Sequence, residues 1–261
     1  MKARAAQNAS VEKNRNGWLL RIPAGDALRY RFAQLDDYFG LSRRKFPHHS
    51  LSLSLRARAS SGSLPGTWGF GLWNDPFGVS LGFGGNRRQA PALPNAAWFF
   101  SASKENYLSF KSPSIPAGFD PVGESARPAR PAEAAHGFLA QSFRSPKFHP
   151  LLIPAGFALP FSGKTARKLL SRVIDEDSAA LSVDVAQWHG YRLEWSPGRV
   201  VWYVDQKLAF ESQVCPNPPL GLVIWIDNQF AAFTPEGRFS FGVLKGPEAW
   251  IEVADVEIHP I

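Results

Sequence analysis

Two short stretches set a carboxylate beside an indole. Trp73-Asn74-Asp75 runs into Pro76, and Trp225-Ile226-Asp227-Asn228-Gln229 closes a long apolar run. A carboxylate can exchange protons or accept hydrogen bonds, and an indole offers a flat apolar face with one N–H donor. In an extended chain alternate side chains share a face, so Trp73 falls with Asp75, and Val223, Trp225, Asp227 and Gln229 fall together. Leu222, Ile224 and Ile226, the intervening set, are purely aliphatic and are expected to face a core. Trp98 and Phe100 form an aromatic pair at strand spacing. Phe99 and Ser101 take the opposite face, and alternation alone does not say which pair is outward.

Other reactive groups point to less. Ser162-Gly163-Lys164-Thr165 ahead of a helix mimics the end of a phosphate-binding loop, but Ala158 stands where the curl around phosphate needs glycine, and Pro160 lies inside the loop. Gly82-Phe83-Gly84-Gly85 reads as a turn, since no helix follows it. None of the six histidines has a ligand-spaced partner among the carboxylates or Cys215, so neither a metal nor another cofactor is expected. Cys215, the single cysteine, excludes an internal disulfide and sits in a Pro-rich turn without a basic neighbour, which argues against a nucleophile. Asp175-Glu176-Asp177 is expected to be solvated at the end of a helix. Glu252 is expected on one face of the last strand, with Asp255 and Glu257 on the other.

Net charge is +7, but the basic residues are scattered or paired (Arg43-Arg44-Lys45, Arg87-Arg88, Arg167-Lys168), and no nucleic-acid motif accompanies them. Nucleic acid is therefore not an expected partner. No run approaches the ~18 apolar residues of a membrane span, and the first residues lack an apolar signal core. A soluble, cytoplasmic protein is expected. The oligomeric state is left open.

The elements that must position these groups are strands. Leu51–Arg58 alternates without a break, and Ala27–Phe32, Trp68–Trp73, Val79–Phe83, Ala96–Ala102, Tyr107–Lys111, Phe138–Phe143, Leu181–Val185, Tyr191–Trp195, Val200–Val204, Lys207–Ser212, Leu220–Asp227, Arg238–Val243 and Trp250–Ile258 follow the same period. Aromatics at 13% and twenty-two each of Gly and Pro suit many short strands and tight turns. An all-β sandwich of two antiparallel sheets, built as one domain over 1–261, is predicted. Ser162–Asp177 is the one predicted helix, with Ser162 as its N-cap, and 112–136 is predicted to be a Pro/Ala/Arg-rich surface loop.

Two blocks carry a likeness to a known family. Leu51–Phe77 holds Leu-Ser-Leu-Arg-Ala-Arg-Ala-Ser and then Pro65-Gly66-Thr67-Trp68-Gly69-Phe70-Gly71-Leu72-Trp73. Tyr191–Asp227 holds a strand, a Pro-Gly turn, Trp202-Tyr203-Val204-Asp205 and a long central strand. Together they resemble glycoside hydrolase family 16, within the concanavalin A-like lectin/glucanase superfamily. The resemblance implies a jelly roll that grips carbohydrate in a concave cleft. It also implies a Glu-x-Asp-x-x-Glu strand after the Trp-rich one, bringing two carboxyls ~5–5.5 Å apart for retaining hydrolysis. Here that strand reads Ala96-Ala97-Trp98-Phe99-Phe100-Ser101-Ala102 and contains no acid.

Mapped onto that cleft, Trp73, Trp98, Phe100 and Trp225 become stacking platforms for a sugar ring, and Asn74, Asn228 and Gln229 become hydrogen-bonding groups for its hydroxyls. The expected function is non-catalytic binding of a glycan. The alternative is an atypical enzyme in which Asp75 and Asp227 serve as the acid and base, acting either as a glycosidase or on an apolar, terpenoid- or lipid-like substrate. A filled concave face would instead mark a structural or interaction module.

Overall fold

The structure is a computed structural model, which describes residues 1–76, 92–110, 136–146 and 162–261. Among the described residues, two seven-stranded antiparallel sheets lie face to face in a jelly-roll sandwich. Sheet A runs in the order β1 (Lys2–Ala6), β4 (Phe32–Asp36), β13 (Gly221–Asp227), β6 (Thr67–Trp73), β7 (Ala96–Ala102), β8 (Gly137–Arg144), β9 (Asp175–Ala180). Sheet B runs β12 (Lys207–Ser212), β11 (Arg199–Val204), β10 (His189–Ser196), β5 (Leu51–Ala59), β16 (Ala249–His259), β3 (Gly17–Ile22), β2 (Ser10–Lys13). A separate hairpin of β14 (Gln229–Phe233) and β15 (Phe239–Val243) follows the central strand β13.

Alternation explains the inter-sheet core. Leu51, Leu53, Leu55, Ala57 and Ala59 of β5 are buried, and the Ser and Arg residues between them are half-buried or exposed. They meet Trp68, Phe70 and Leu72 of β6 and Leu222, Ile224 and Ile226 of β13, the aliphatic row expected to point inward. Trp195 and Trp202 are fully buried here. The Trp202 indole donates to the carbonyl of Trp98 at 3.0 Å, which ties sheet B to sheet A through an otherwise apolar layer. Each such ring withdrawn from water contributes about 1.5–3 kcal/mol, so this layer dominates stability.

The structure corrects several expectations. The helix, α1, spans Gly163–Leu170 and not the predicted 162–177. Ser162 does cap it, accepting from the Thr165 amide at 3.3 Å, so the Ser-Gly-Lys-Thr run starts a helix. Asp175–Asp177 leaves the helix to form β9, paired with Ser142, Phe143 and Arg144, because the open edge of β8 supplies a ladder of backbone partners. The strand expected at Leu181–Val185 therefore lies earlier in the chain. Ala27–Phe32 is likewise displaced: β4 begins at Phe32, and Tyr107 makes only an isolated bridge to Ala232. The first three strands lack a strong alternating signal and were not expected. In β16 a bulge between Ala254 and Glu257, with Asp255 at φ +53°, resets the register. Glu257 then opposes Ser54 in the row that holds Glu252 opposite Arg58, so the two glutamates share a face. The Val79–Phe83 strand, the Gly82–Gly85 turn, all of the 112–136 loop but its last residue and the Ala158/Pro160 region lie outside the described residues.

Candidate functional site

The outer face of sheet A carries the groups singled out above. Register aligns them in rows across the sheet. One row reads Arg4, Gln34, Trp225, Gly69, Phe100, Leu139, and the next reads Asp36, Val223, Gly71, Trp98, Gln141. Trp98 and Phe100 thus face outward, and Phe99 enters the inter-sheet core. β6 places glycine in both rows. A Cβ on Gly69 would come within 2.9 Å of the Trp225 ring, and one on Gly71 would lie 2.7 Å from the Trp98 Cβ. Gly71 also sits at φ +151°, which strains any side chain. These two glycines make a trough into which the flanking indoles tip.

The aromatics pack on one another. The Trp73 and Trp225 rings are parallel, with centroids 6.2 Å apart, and Trp98 lies 5.5 Å from Trp225 and 5.4 Å from Phe100. Each indole N–H has a protein acceptor: Trp73 the Tyr38 hydroxyl at 2.7 Å, Trp98 the Gln141 carbonyl at 3.1 Å, Trp225 the Thr67 hydroxyl at 3.0 Å. Trp98 is 6% exposed and Trp225 8%. Together with Tyr38, Phe46, Phe143, Ile174 and Val223 they form a second apolar cluster, which is why β13 is buried on both faces. They offer a ligand edges and partial faces, not the bare platforms that the family resemblance implies.

A pocket of about 80 Å³ remains over this cluster. Of the expected site residues, Trp73, Asp75, Trp98, Phe100, Trp225, Asp227 and Gln229 line it. Asn74 and Asn228 do not. The Asn74 amide donates to the Leu93 carbonyl and accepts from the Asn95 amide. Asn228 is fully buried, accepting from the Arg31 amide and donating to the carbonyls of Arg29 and Leu244, so both asparagines clip loops together. Arg4, Tyr30, Phe32, Gln34, Thr67, Asn106 and Ala231 also line the pocket. A period-two reading of Tyr30-Phe32-Gln34-Asp36 would have found the middle of this set. The displaced strand boundary hid it, and Arg4 had no signal beyond its place in a short polar strand.

Asp227 is the best-held polar group. Its Oδ1 accepts from the Thr67 hydroxyl (2.8 Å), the Thr67 amide and the Gln229 amide (both 3.2 Å), and its Oδ2 accepts from the Tyr30 hydroxyl at 3.2 Å. All four donors are neutral. Burial pushes its pKa up from 3.8 to about 6, and the bonds from Thr67, Gln229 and Tyr30 hold it back from rising further. Burial and the same carboxylate raise the Tyr30 phenol well above its usual value.

The other charges are compensated. Arg4 Nε donates to Asp36 at 2.8 Å, and Gln34 bridges Asp36 (2.9 Å) to the Tyr38 hydroxyl (3.1 Å). Burial, then the charges of Asp75 and Asp36, raise the Tyr38 phenol well above its usual value. Asp75 is buried at φ +47°, and Arg43 donates to the backbone carbonyls of Asn74 and Asp75 beside it. Burial lowers the Arg43 pKa and the charge of Asp75 raises it, which couples the two. Asp75 and Asp227 approach the pocket from opposite ends of β6. Asp227 pairs with Thr67, whereas Asp75 follows Trp73, six residues or about 20 Å further along the strand.

The remaining candidates settle into structural roles. His189 bonds Asp205 through Nδ1 (2.7 Å) and the Asp184 carbonyl through Nε2 (3.1 Å), and His48 bonds Asp37 (2.6 Å). Among the described residues no three His, Cys, Asp or Glu side chains gather as metal ligands would. The Cys215 thiol donates to the Ser196 carbonyl at 3.0 Å. Among the described residues no helix is long and apolar enough to cross a membrane.

No protein-family model and no curated protein matches this chain. Among solved structures it is similar to the endo-β-1,4-glucuronan lyase of the fungus Trichoderma reesei, with 9% identity and a TM-score of 0.52 over 100% of this chain and 90% of that one. It is also similar to LamAcat from Zobellia galactanivorans (15% identity, TM-score 0.43, 94% and 80% covered) and to the Emp47p carbohydrate recognition domain (11%, 0.45, 99% and 88%). The likeness to the lyase, spanning both chains almost entirely, shows a shared fold, a sandwich of two antiparallel sheets, and speaks to the fold alone.

Proposed function

We propose that the chain binds a glycan on the outer face of sheet A without hydrolysing it, as a relative of glycoside hydrolase family 16 whose catalytic strand has lost its acids. The observation that carries this reading is the composition of β7: where that family places its catalytic carboxylates, this strand presents Trp98 and Phe100 to the pocket. On this reading Asp75 and Asp227 are not a substitute pair, because one follows Trp73 and the other lies opposite Thr67, at the two ends of β6, and retaining chemistry needs carboxyls ~5–5.5 Å apart. Aromatic edges beside Asp227, Gln229 and Gln34 suit a polyhydroxylated ligand. The lyase that shares this fold acts, by its name, on a polysaccharide.

The test is calorimetric titration of neutral, acidic and amino oligosaccharides into the wild-type chain and into Trp225→Ala, alongside a reducing-end assay. Binding without release of reducing ends is expected, weakened at least tenfold in the variant. Equal binding by both proteins would place the site elsewhere, and release of reducing ends would overturn the non-catalytic reading.

A second reading has one observation in its favour. A carboxyl held at about pH 6 within an aromatic pocket is poised as a general acid, as an enzyme acting on an apolar, terpenoid- or lipid-like substrate would use it. Turnover of such a substrate by the wild type and none by Asp227→Asn would favour that reading over glycan binding.

A further inference from the structure

At about 80 Å³ the pocket has roughly half the volume of a ~150 Å³ apolar cavity that holds one benzene ring. It seats a substituent of a few heavy atoms, and a pyranose ring would lie across its mouth. The question is which substituent the walls select.

Charge answers it. Arg4 is bound to Asp36, and the Arg43 guanidinium, which donates to the backbone carbonyl of Asp75, lies close enough to feel the Asp75 charge. Asp227 accepts hydrogen bonds only from the neutral Thr67, Gln229 and Tyr30, and among the described residues no cation forms an ion pair with it. Another anion brought into this space would meet an uncompensated carboxylate at low dielectric. A cation would neutralise it and would gain further where it lies over the partial faces of Trp73, Trp98, Phe100 and Trp225, since the ring face attracts positive charge.

We infer that the pocket receives an ammonium group, protonated or quaternary, with Asp227 as its counter-ion and the tryptophans around it. On the glycan reading the ligand is then an amino sugar. The sugar rests on that reading; the charge does not. The raised pKa of Asp227 agrees with a carboxylate lacking a counter-ion, so a bound cation lowers it and binding near pH 6 releases a proton. The other charged or titratable groups in the wall are Tyr30 ahead of β4, Arg4 on β1 and Asp75 beyond β6, with Asp36 and Tyr38 behind Gln34. β7 and β14 add Trp98, Phe100, Gln229 and Ala231, which do not titrate.

The test titrates the full chain at pH 7.5 and pH 5 with choline and with 3,3-dimethylbutan-1-ol, which has choline's shape with carbon in place of the charged nitrogen. A glucosamine oligomer and its N-acetylated counterpart are compared at pH 7.5. Choline keeps its charge throughout, so its pH dependence reads the protein. Choline is expected to bind roughly tenfold tighter than the alcohol at pH 7.5 and to approach parity at pH 5, with the glucosamine oligomer preferred over the acetylated one. Asp227→Asn is expected to abolish the preference for choline with an unchanged circular dichroism spectrum; the wild-type pH comparison decides the matter even if that variant does not fold. Equal affinity for choline and the alcohol at pH 7.5, or none for either, overturns the inference. Oligosaccharide binding with no preference for the amine overturns it too and leaves glycan binding standing, whereas choline binding with no oligosaccharide binding overturns the glycan reading and leaves the cation site.

Discussion

Replacing Asp227 with asparagine should stabilise the protein at neutral pH, against the usual outcome of changing a buried, fully bonded residue. Burial raises the pKa of Asp227 from 3.8 to about 6, so the folded state holds this proton more tightly than the unfolded chain does. Its contribution is therefore complete below about pH 3.8 and is lost as pH rises through about 6. At about 1.4 kcal/mol per pH unit, the ionised group costs about 3 kcal/mol at pH 7.5. Asparagine removes that cost and keeps most of the network. Its carbonyl, with two lone pairs, can accept from the Thr67 hydroxyl and a backbone amide, and its amide can donate to the Tyr30 oxygen in place of the bond Tyr30 now donates. The assay is urea unfolding of wild type and Asp227→Asn from pH 4.5 to 7.5. The difference between the two curves cancels the other carboxylates. The variant should gain on the wild type by about 2–3 kcal/mol between pH 4.5 and 7.5 and should be the more stable at the upper end. A flat difference, or a variant that loses ground as pH rises, would refute the account of Asp227 as a carboxylate without a counter-ion.

Further outcomes follow from the same face of the sheet. Thr67→Val keeps the shape but removes the hydroxyl that bonds both Asp227 and Trp225, and should cost about 2–4 kcal/mol in urea unfolding. It should also raise the Asp227 pKa above 6, read by carboxyl NMR titration, because that hydroxyl is the largest influence holding it down. Gly71→Ala would put a methyl 2.4 Å from the Ala97 carbonyl and 2.6 Å from the Trp98 Cα, and should destabilise by about 3 kcal/mol or more with a change in tryptophan fluorescence. An unshifted unfolding midpoint in Gly71→Ala would mean that β6 and β7 are not packed this closely.

Most of the architecture was legible in the chain itself. Leu51–Ala59 and Gly221–Asp227 carry their strand character and their core-facing row in simple alternation, since the pleat sends neighbouring side chains to opposite sides. The same rule placed Trp73, Trp225 and Asp227 on one face, and the acid-free β7 was visible as a string of residues. Where alternation failed, a local backbone event intervened: the bulge at Asp255 reversed the face of Glu257, and the edge of β8 drew Asp175–Asp177 out of the predicted helix. What tertiary structure alone decided is the character of the site. The sequence leaves open whether Trp98 or Phe99 joins Trp73 and Trp225 on the outer face, and whether the tryptophans lie open to a sugar or close on each other depends on Gly69 and Gly71 opposite them, a cross-strand relation that no local period encodes. It can likewise count Arg4, Arg43, Asp36, Asp75 and Asp227, yet only their placement pairs Arg4 with Asp36, sets Arg43 near Asp75 and leaves Asp227 with neutral partners. Charge compensation acts through distances between strands remote in the chain, and those distances exist only once the sheet has formed.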